Sequence, residues 1–180
     1  MIDDFLTRQE VNQILSIDGF KTASRFKKAG IGKAINHQVN EAVRGDEIRW
    51  ISETTAEAPL KIYLNRMKEL MVHLNRTLFL SLKDIEAHIT VYPPGTFYKR
   101  HLDQFRTDDH RKLSAICYLN EGWTENDGGQ LRMHLASGAI DVLPLAGRLA
   151  IFRSDQIEHE VLAGKRDRYS VTGWFVDRLL

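Results

Sequence analysis

Glu86-Ala87-His88-Ile89-Thr90-Val91-Tyr92-Pro93-Pro94-Gly95-Thr96-Phe97-Tyr98-Lys99-Arg100-His101-Leu102-Asp103 is the stretch on which the reading of this 180-residue chain turns. From residue 86 the apolar period is two: Ala87, Ile89 and Val91 alternate with His88, Thr90 and Tyr92. That alternation predicts a strand with two chemically different faces. Pro93-Pro94-Gly95 reads as a turn, and a short second strand then runs into His101-Leu102-Asp103. An imidazole and a carboxylate two residues apart at a rigid strand end can converge on one ion. With a third ligand they would form the facial triad of a non-haem Fe(II) oxygenase, which leaves three octahedral positions open. Zinc could use similar ligands, but with a tetrahedral site. Chance alone supplies about 0.5 His-x-Asp pairs in a chain with seven histidines. The pair therefore needs support from its surroundings.

Downstream the pattern stays β. Strand candidates at 113–119, 130–135, 139–143, 148–153, 159–162 and 169–176 are separated by Asn126-Asp127-Gly128-Gly129, Ser137-Gly138 and Ala146-Gly147. Short strands at such spacing, with no helices interleaved, argue a sandwich, jelly roll or barrel. The upstream half reads helical. Thr7 and Glu10 have capping-box spacing ahead of Val11, Ile14 and Leu15. Pro59 suits the first turn of a second helix, with Leu60, Leu64, Met67, Met71, Leu74 and Leu78 as a core-packing stripe. The expectation is an α+β fold in one domain spanning 1–180, with helical support and a loop-bearing segment over 1–85 and a β core over 86–180. Residues 27–43 carry Gly30 and Gly32 and read as a long functional loop.

Composition narrows the function. Lys plus Arg total 25 against 24 Asp plus Glu, a net charge of +1. This balance speaks against a nucleic-acid partner. No apolar run is long enough to span a membrane, and the acidic N-terminus lacks an apolar signal segment. A lone Cys117 excludes a disulfide framework and fits a reducing cytoplasm.

The third ligand is best sought downstream of Asp103. His110 lies in the charged run 107–112 and reads as a solvated loop residue, and His134 follows a hairpin turn. His159, opening a strand, is the strongest candidate. A hairpin about the Gly164 turn would set His159 and Arg168 opposite each other on one face. A metal ligand and a fixed cation would then share a cavity suited to 2-oxoglutarate, whose distal carboxylate matches a guanidinium. Alternation carries the same wall through Ser170, Thr172 and Trp174, and a neighbouring strand presents Ser114, Ile116 and Tyr118.

At this point the sequence resembles the 2-oxoglutarate- and Fe(II)-dependent prolyl 4-hydroxylases, most closely the branch of the hypoxia-inducible-factor prolyl hydroxylases and their bacterial relatives. The resemblance runs through 2–6, Arg44-Gly45-Asp46 to Trp50, 92–103, 116–120, 128–132, and His159-Glu160-Val161 with Arg168 to Trp174. It implies a double-stranded β-helix (jelly-roll) core buttressed by the N-terminal helices. It implies iron on His101, Asp103 and His159, and the distal carboxylate of 2-oxoglutarate on Arg168 and Tyr118. Tyr92 would line the pocket near the metal, Ile116, Leu131, Val161 and Thr172 would wall it, and Trp174 would stand at the substrate entrance. Asp46 and Arg111 match a substrate-mouth pair and are expected to form an ion pair. The loop at 27–43 would be the substrate-covering finger, with its own sequence.

The implied reaction consumes O2 and 2-oxoglutarate, releases succinate and CO2, and hydroxylates a prolyl residue of a protein or peptide; ascorbate would support it. A translation factor is a candidate target, since resembling bacterial enzymes modify elongation factor Tu. Three alternatives stay open: the same oxygenase acting on a non-prolyl or small-molecule substrate, a zinc or manganese hydrolase or isomerase, and a non-catalytic sensor of oxygen or 2-oxoglutarate.

Overall fold

The computed structural model describes residues 1–17, 20, 26–30, 42–104 and 107–179. Helix α1 (Arg8–Leu15) begins at the expected capping box. Thr7 N–H donates to Glu10 Oε2 at 2.7 Å, and Glu10 N–H donates to Thr7 Oγ1 at 3.3 Å. Helix α2 (Ala58–Leu78) begins with Pro59 in its first turn. Leu60, Leu64 and Met67 of its stripe are buried, joined by Tyr63, whereas Leu78 at the far end is mostly exposed.

The strands are β1 (Lys27–Lys28), β2 (Glu47–Ile51), β3 (Asp84–Tyr92), β4 (Tyr98–His101), β5 (Arg111–Tyr118), β6 (Leu131–Leu135), β7 (Gly138–Val142), β8 (Leu149–Arg153), β9 (Glu158–Val161) and β10 (Arg168–Val176). They form two antiparallel sheets, in the orders β1-β2-β3-β10-β5-β8 and β4-β9-β6-β7. This is the α+β jelly roll expected from the sequence. Residues 47–51, placed upstream in the helical half by the sequence, instead extend the larger sheet through β2. Of the loop expected at 27–43, Lys27 and Lys28 pair with β2, and 31–41 lie outside the described residues.

The larger sheet is buried on both faces, with opposite chemistries. One face presents Ala87, Ile89, Ala115, Cys117, Val171 and Phe175 to the helices. Each fully buried side chain of Leu or Met size contributes about 1.5–3 kcal/mol there. The other face looks at the smaller sheet and carries His88, Thr90, Ser114, Tyr118, Arg168 and Ser170, all buried. Period-two alternation alone sorts the two sets. A buried polar face inside a sandwich costs free energy unless its groups find partners.

One expectation fails here. Strands β9 and β10 do not form a hairpin. Strand β9 pairs with β4 and β6, whereas β10 pairs with β3 and β5. The connection at 162–167 crosses from one sheet to the other, so His159 and Arg168 line the same cavity from opposite sheets instead of standing side by side.

Cys117 is buried against the helices, and burial pushes its thiol well above the ordinary range. The native protein should resist thiol-specific reagents and react fully once unfolded in guanidinium; rapid labelling of the native state would contradict this packing.

Candidate active site

A cavity of about 250 Å³ opens between the sheets. His101, Asp103 and His159 meet in its wall, with one donor atom from each within 4.8 Å of the others. Backbone register brings the two histidines together, because His101 is the cross-strand partner of His159. Their tautomers follow from their hydrogen bonds. His101 Nδ1 lies 2.6 Å from the Lys99 carbonyl and His159 Nδ1 3.1 Å from the Ile157 carbonyl. A carbonyl only accepts, so Nδ1 carries the proton in each ring and Nε2 presents its lone pair. Both Nε2 atoms point at the Asp103 carboxylate, at 3.4 Å and 3.6 Å. Ser114 donates a hydrogen bond to the Asp103 carboxylate at 2.6 Å and favours its ionised form. Burial lowers His159 in turn, which keeps it neutral. Two bare imidazole nitrogens and an ionised carboxylate converging on one point are a donor set for a divalent ion.

Arg168 is 2% exposed. Its Nε donates to the Gly129 carbonyl at 2.8 Å, but Nη2 has no hydrogen-bond partner. Among the described residues it forms no ion pair. The Tyr118 hydroxyl is likewise buried and unpartnered. The guanidinium carbon lies 5.0 Å from the Tyr118 ring centre and 5.1 Å from that of Tyr92. Burial pushes Tyr118 up to about 12, against the pull of Arg168, so its O–H is a donor at neutral pH. Gly129 makes this end possible. Its φ is +68°, and an added Cβ would meet Arg168 Cδ at 3.2 Å and the Trp123 ring at 3.0 Å. A buried cation with a spare N–H beside a spare phenol O–H calls for an anion that accepts from both. Ile116, Leu131, Val161 and Thr172 line the cavity, as the resemblance implied.

Trp50, Glu86, Arg111 and Trp174 also line the cavity. Here the expected Asp46–Arg111 ion pair is absent. Asp46 is held by Arg44, with N–O distances of 2.7 Å and 2.6 Å. Arg111 binds Glu86 at 2.7 Å and 3.1 Å, with its guanidinium 3.6 Å over the Trp174 ring. Both acids found nearer bases: Arg44 is two residues from Asp46, and Glu86 is the cross-strand partner of Trp174. Asp46 and Arg111 still line the same cavity. His110 is also not the solvated residue its charged neighbours suggested; it is buried between Asp108 (2.5 Å) and Glu86 (3.4 Å). His134 bonds Glu160 at 3.0 Å, apart from the three converging ligands. The sequence reading singled out neither Tyr98 nor Arg44 as functional; Tyr98 stacks on His101 and Arg44 sits over Tyr98. It named Ser114 without its bond to Asp103. None of these contacts has a local signal in the sequence.

The comparisons agree with this geometry. Residues 87–176 match the family model described as the 2OG-Fe(II) oxygenase superfamily, and the chain belongs to that superfamily. A crystal structure of a Pseudomonas putida prolyl-4-hydroxylase is 44% identical, with a TM-score of 0.87 over 99% of this chain and 91% of that one. A Trichoplax adhaerens prolyl hydroxylase, solved with a peptide fragment of the hypoxia-inducible-factor oxygen degradation domain, is 29% identical. Its TM-score is 0.82, over 98% of this chain and 82% of that one. A Caenorhabditis elegans hypoxia-inducible factor prolyl hydroxylase is 29% identical over 146 residues, 76% of this chain and 20% of the relative. The chain spans about a fifth of the length of the curated relatives it matches.

His88 is 3% exposed on the inner face of β3, with Nδ1 2.8 Å from Thr90 Oγ1 and its ring against Trp50 and Trp174. Burial lowers its pKa from 6.5 to about 4. Between those values the unfolded chain binds a proton that the folded chain does not. Stability therefore rises with pH through this window and falls as pH drops from 6.5 toward 4. Urea denaturation should show His88→Gln losing less stability than the parent across the window, by up to about 3 kcal/mol. Parallel pH profiles would contradict a buried neutral imidazole.

Proposed function

We propose that this chain is a 2-oxoglutarate- and Fe(II)-dependent dioxygenase that hydroxylates a prolyl residue of a protein substrate. The observation that carries the reading is one cavity with two complementary features. A His-Asp-His donor set lines it, and so does a buried guanidinium with unspent hydrogen-bonding capacity, beside which lies the unpartnered Tyr118 hydroxyl. A metal-type donor set and a buried cation lining one cavity suit a dicarboxylate that chelates a metal through one end and offers a carboxylate at the other. Similarity to prolyl hydroxylases supports the prolyl substrate, and the peptide complex of the Trichoplax relative supports a protein one.

In this reading His101, Asp103 and His159 hold Fe(II), and Arg168 and Tyr118 hold the distal carboxylate of 2-oxoglutarate. When bound, iron and 2-oxoglutarate supply the oxidative chemistry, consuming O2, releasing succinate and CO2, and placing a hydroxyl on a prolyl carbon. The protein's own work is orientation. The Lys99 and Ile157 carbonyls hold both imidazoles in the metal-binding tautomer, and Ser114 aims the Asp103 carboxylate. Gly129 aims Arg168 through its carbonyl. Ile116, Leu131 and Val161 keep the cavity wall apolar, with Tyr92 and Thr172 beside them. At the mouth, Trp174 is held flat by Arg111, and Asp46 is held by Arg44, so the peptide would meet a preformed surface. Ascorbate would sustain turnover by keeping the metal ferrous. A cytoplasmic location, supported by the single free cysteine, and a translation factor as target complete the proposal.

Purified protein supplied with iron, 2-oxoglutarate and ascorbate should form succinate and add one oxygen to proline in a substrate panel. The panel should include translation factors, free amino acids and nucleobases. Oxygen incorporation only into non-prolyl compounds would overturn the prolyl assignment, and absence of any 2-oxoglutarate binding would overturn the whole reading. His101→Ala and Asp103→Ala should abolish turnover. Arg168→Ala should raise the 2-oxoglutarate requirement by about 10–100-fold, the range for losing a hydrogen bond to a charged group. Gly129→Ala should raise it too, by displacing Arg168, while leaving metal binding intact in a direct titration.

A further inference from the structure

We propose that Arg44 and Tyr98 are positioning residues that set the ring plane of His101 through a guanidinium–phenol–imidazole stack. The inference rests on the reading of His101 as a metal ligand.

The stack is unusual in its geometry. The Tyr98 and His101 ring centres are 3.6 Å apart, with planes only 16° from parallel. The Arg44 guanidinium carbon lies 4.2 Å from the same Tyr98 centre. Two planar groups so close to one ring centre cannot share a face, so Tyr98 is the middle layer. Parallel aromatic faces normally repel, since both are electron-rich. A cation on the outer face draws density from Tyr98 and relieves that repulsion.

The backbone builds this stack deliberately. Tyr98 and His101 are three positions apart, a spacing that strict alternation would place on opposite faces of β4. Their partners Val161 and His159 are two apart, so β4 carries one extra residue. This bulge returns Tyr98 to the side of His101. Arg44 is fixed as firmly. It bridges to Tyr98 in antiparallel fashion, the Val43 carbonyl accepts from Lys99 N–H at 2.9 Å, and Gly45 N–H donates to the Phe97 carbonyl at 2.9 Å. A side chain at position 45 would place its Cβ 2.8 Å from Thr96 Cβ, so only glycine allows the two segments this close. Asp46 grips the guanidinium from its edge, and Nη1 donates to the Gly30 carbonyl at 3.2 Å.

His101 has a use for such a brace. Its one hydrogen bond among the described residues, to the Lys99 carbonyl, sets the tautomer but leaves the ring free to tilt about that bond. His159 has a different brace, the Phe152 ring at 4.7 Å, and Asp103 has Ser114. Each of the three donors therefore has its own orienting neighbour, and Tyr98 backed by Arg44 serves His101.

The test is titration with Co(II) as the probe, following both affinity and the visible absorption of the bound ion. The variants are Tyr98→Phe, Tyr98→Leu and the charge-balanced Arg44→Met/Asp46→Asn, with folding checked by thermal melts. Tyr98→Leu and the double variant should bind Co(II) about 10–100-fold more weakly, the usual cost of losing an orienting neighbour. They should also alter its absorption envelope. Tyr98→Phe, which keeps the ring, should match the parent. Parent-like affinity and spectrum in the folded leucine or double variant would overturn the proposal, as would a phenylalanine variant as weak as the leucine one. His101→Ala separates the two levels: if it binds Co(II) like the parent, the ligand assignment itself fails, and the stack fails with it. Loss of binding in His101→Ala alone would sink the stack and leave the ligand in place.

Discussion

Arg168 places a full positive charge inside a β sandwich without a carboxylate against it. Burying a charge is among the costliest acts in folding unless the charge is paired. Among the described residues it meets one hydrogen-bond acceptor, the Gly129 carbonyl, and two ring faces at about five ångströms. The rest of the inner face follows from this deficit. A phenol O–H stands unpartnered beside the charge, and a metal-type donor set converges elsewhere in the same hollow. Under the proposed function this deficit is met by a dicarboxylate, and a ligand that binds only the folded chain stabilises it by an amount that grows with the logarithm of its concentration over its dissociation constant.

The jelly roll supplies the frame. Its larger sheet gives one face to the helices, where packing is apolar and dense, and the other to the site. This division lets the chain tolerate histidine, threonine, serine and arginine in a buried layer without losing its core. Cross-strand rows then set the order of the wall. Tyr92 is registered with Arg168, Thr172 with both His88 and Ile116, and Trp174 with both Glu86 and Ser114. Depth in the cavity is thus written in strand register, from the charged floor to the aromatic mouth.

Charge at the mouth is managed by local pairing. Arg44 with Asp46 and Arg111 with Glu86 each form bidentate pairs, the geometry that gives guanidinium–carboxylate contacts their directionality. Both cations also lie over aromatic rings, Tyr98 and Trp174. These side chains are therefore held in fixed orientations, with their charges paired.

Much of this was legible in the sequence, because much of it is local. The Thr7–Glu10 cap, the α2 stripe, the two faces of β3 and the pairing of His101 with Asp103 all follow from spacing along a single element, where geometry repeats. Chain order and strand alternation singled out His159, Arg168 and Tyr118, and the resemblance implied the same roles for them. Tertiary structure decided the rest. Only the crossing of residues 162–167 between sheets brings His159 and Arg168 into one cavity from opposite sheets instead of side by side. Only a one-residue bulge turns Tyr98 toward His101, and only the docking of β3 beside β10 gives Glu86, instead of Asp46, to Arg111. Such contacts depend on which strands become neighbours and in what register, and that choice is made by burial of the whole inner face together, not by any short run of residues.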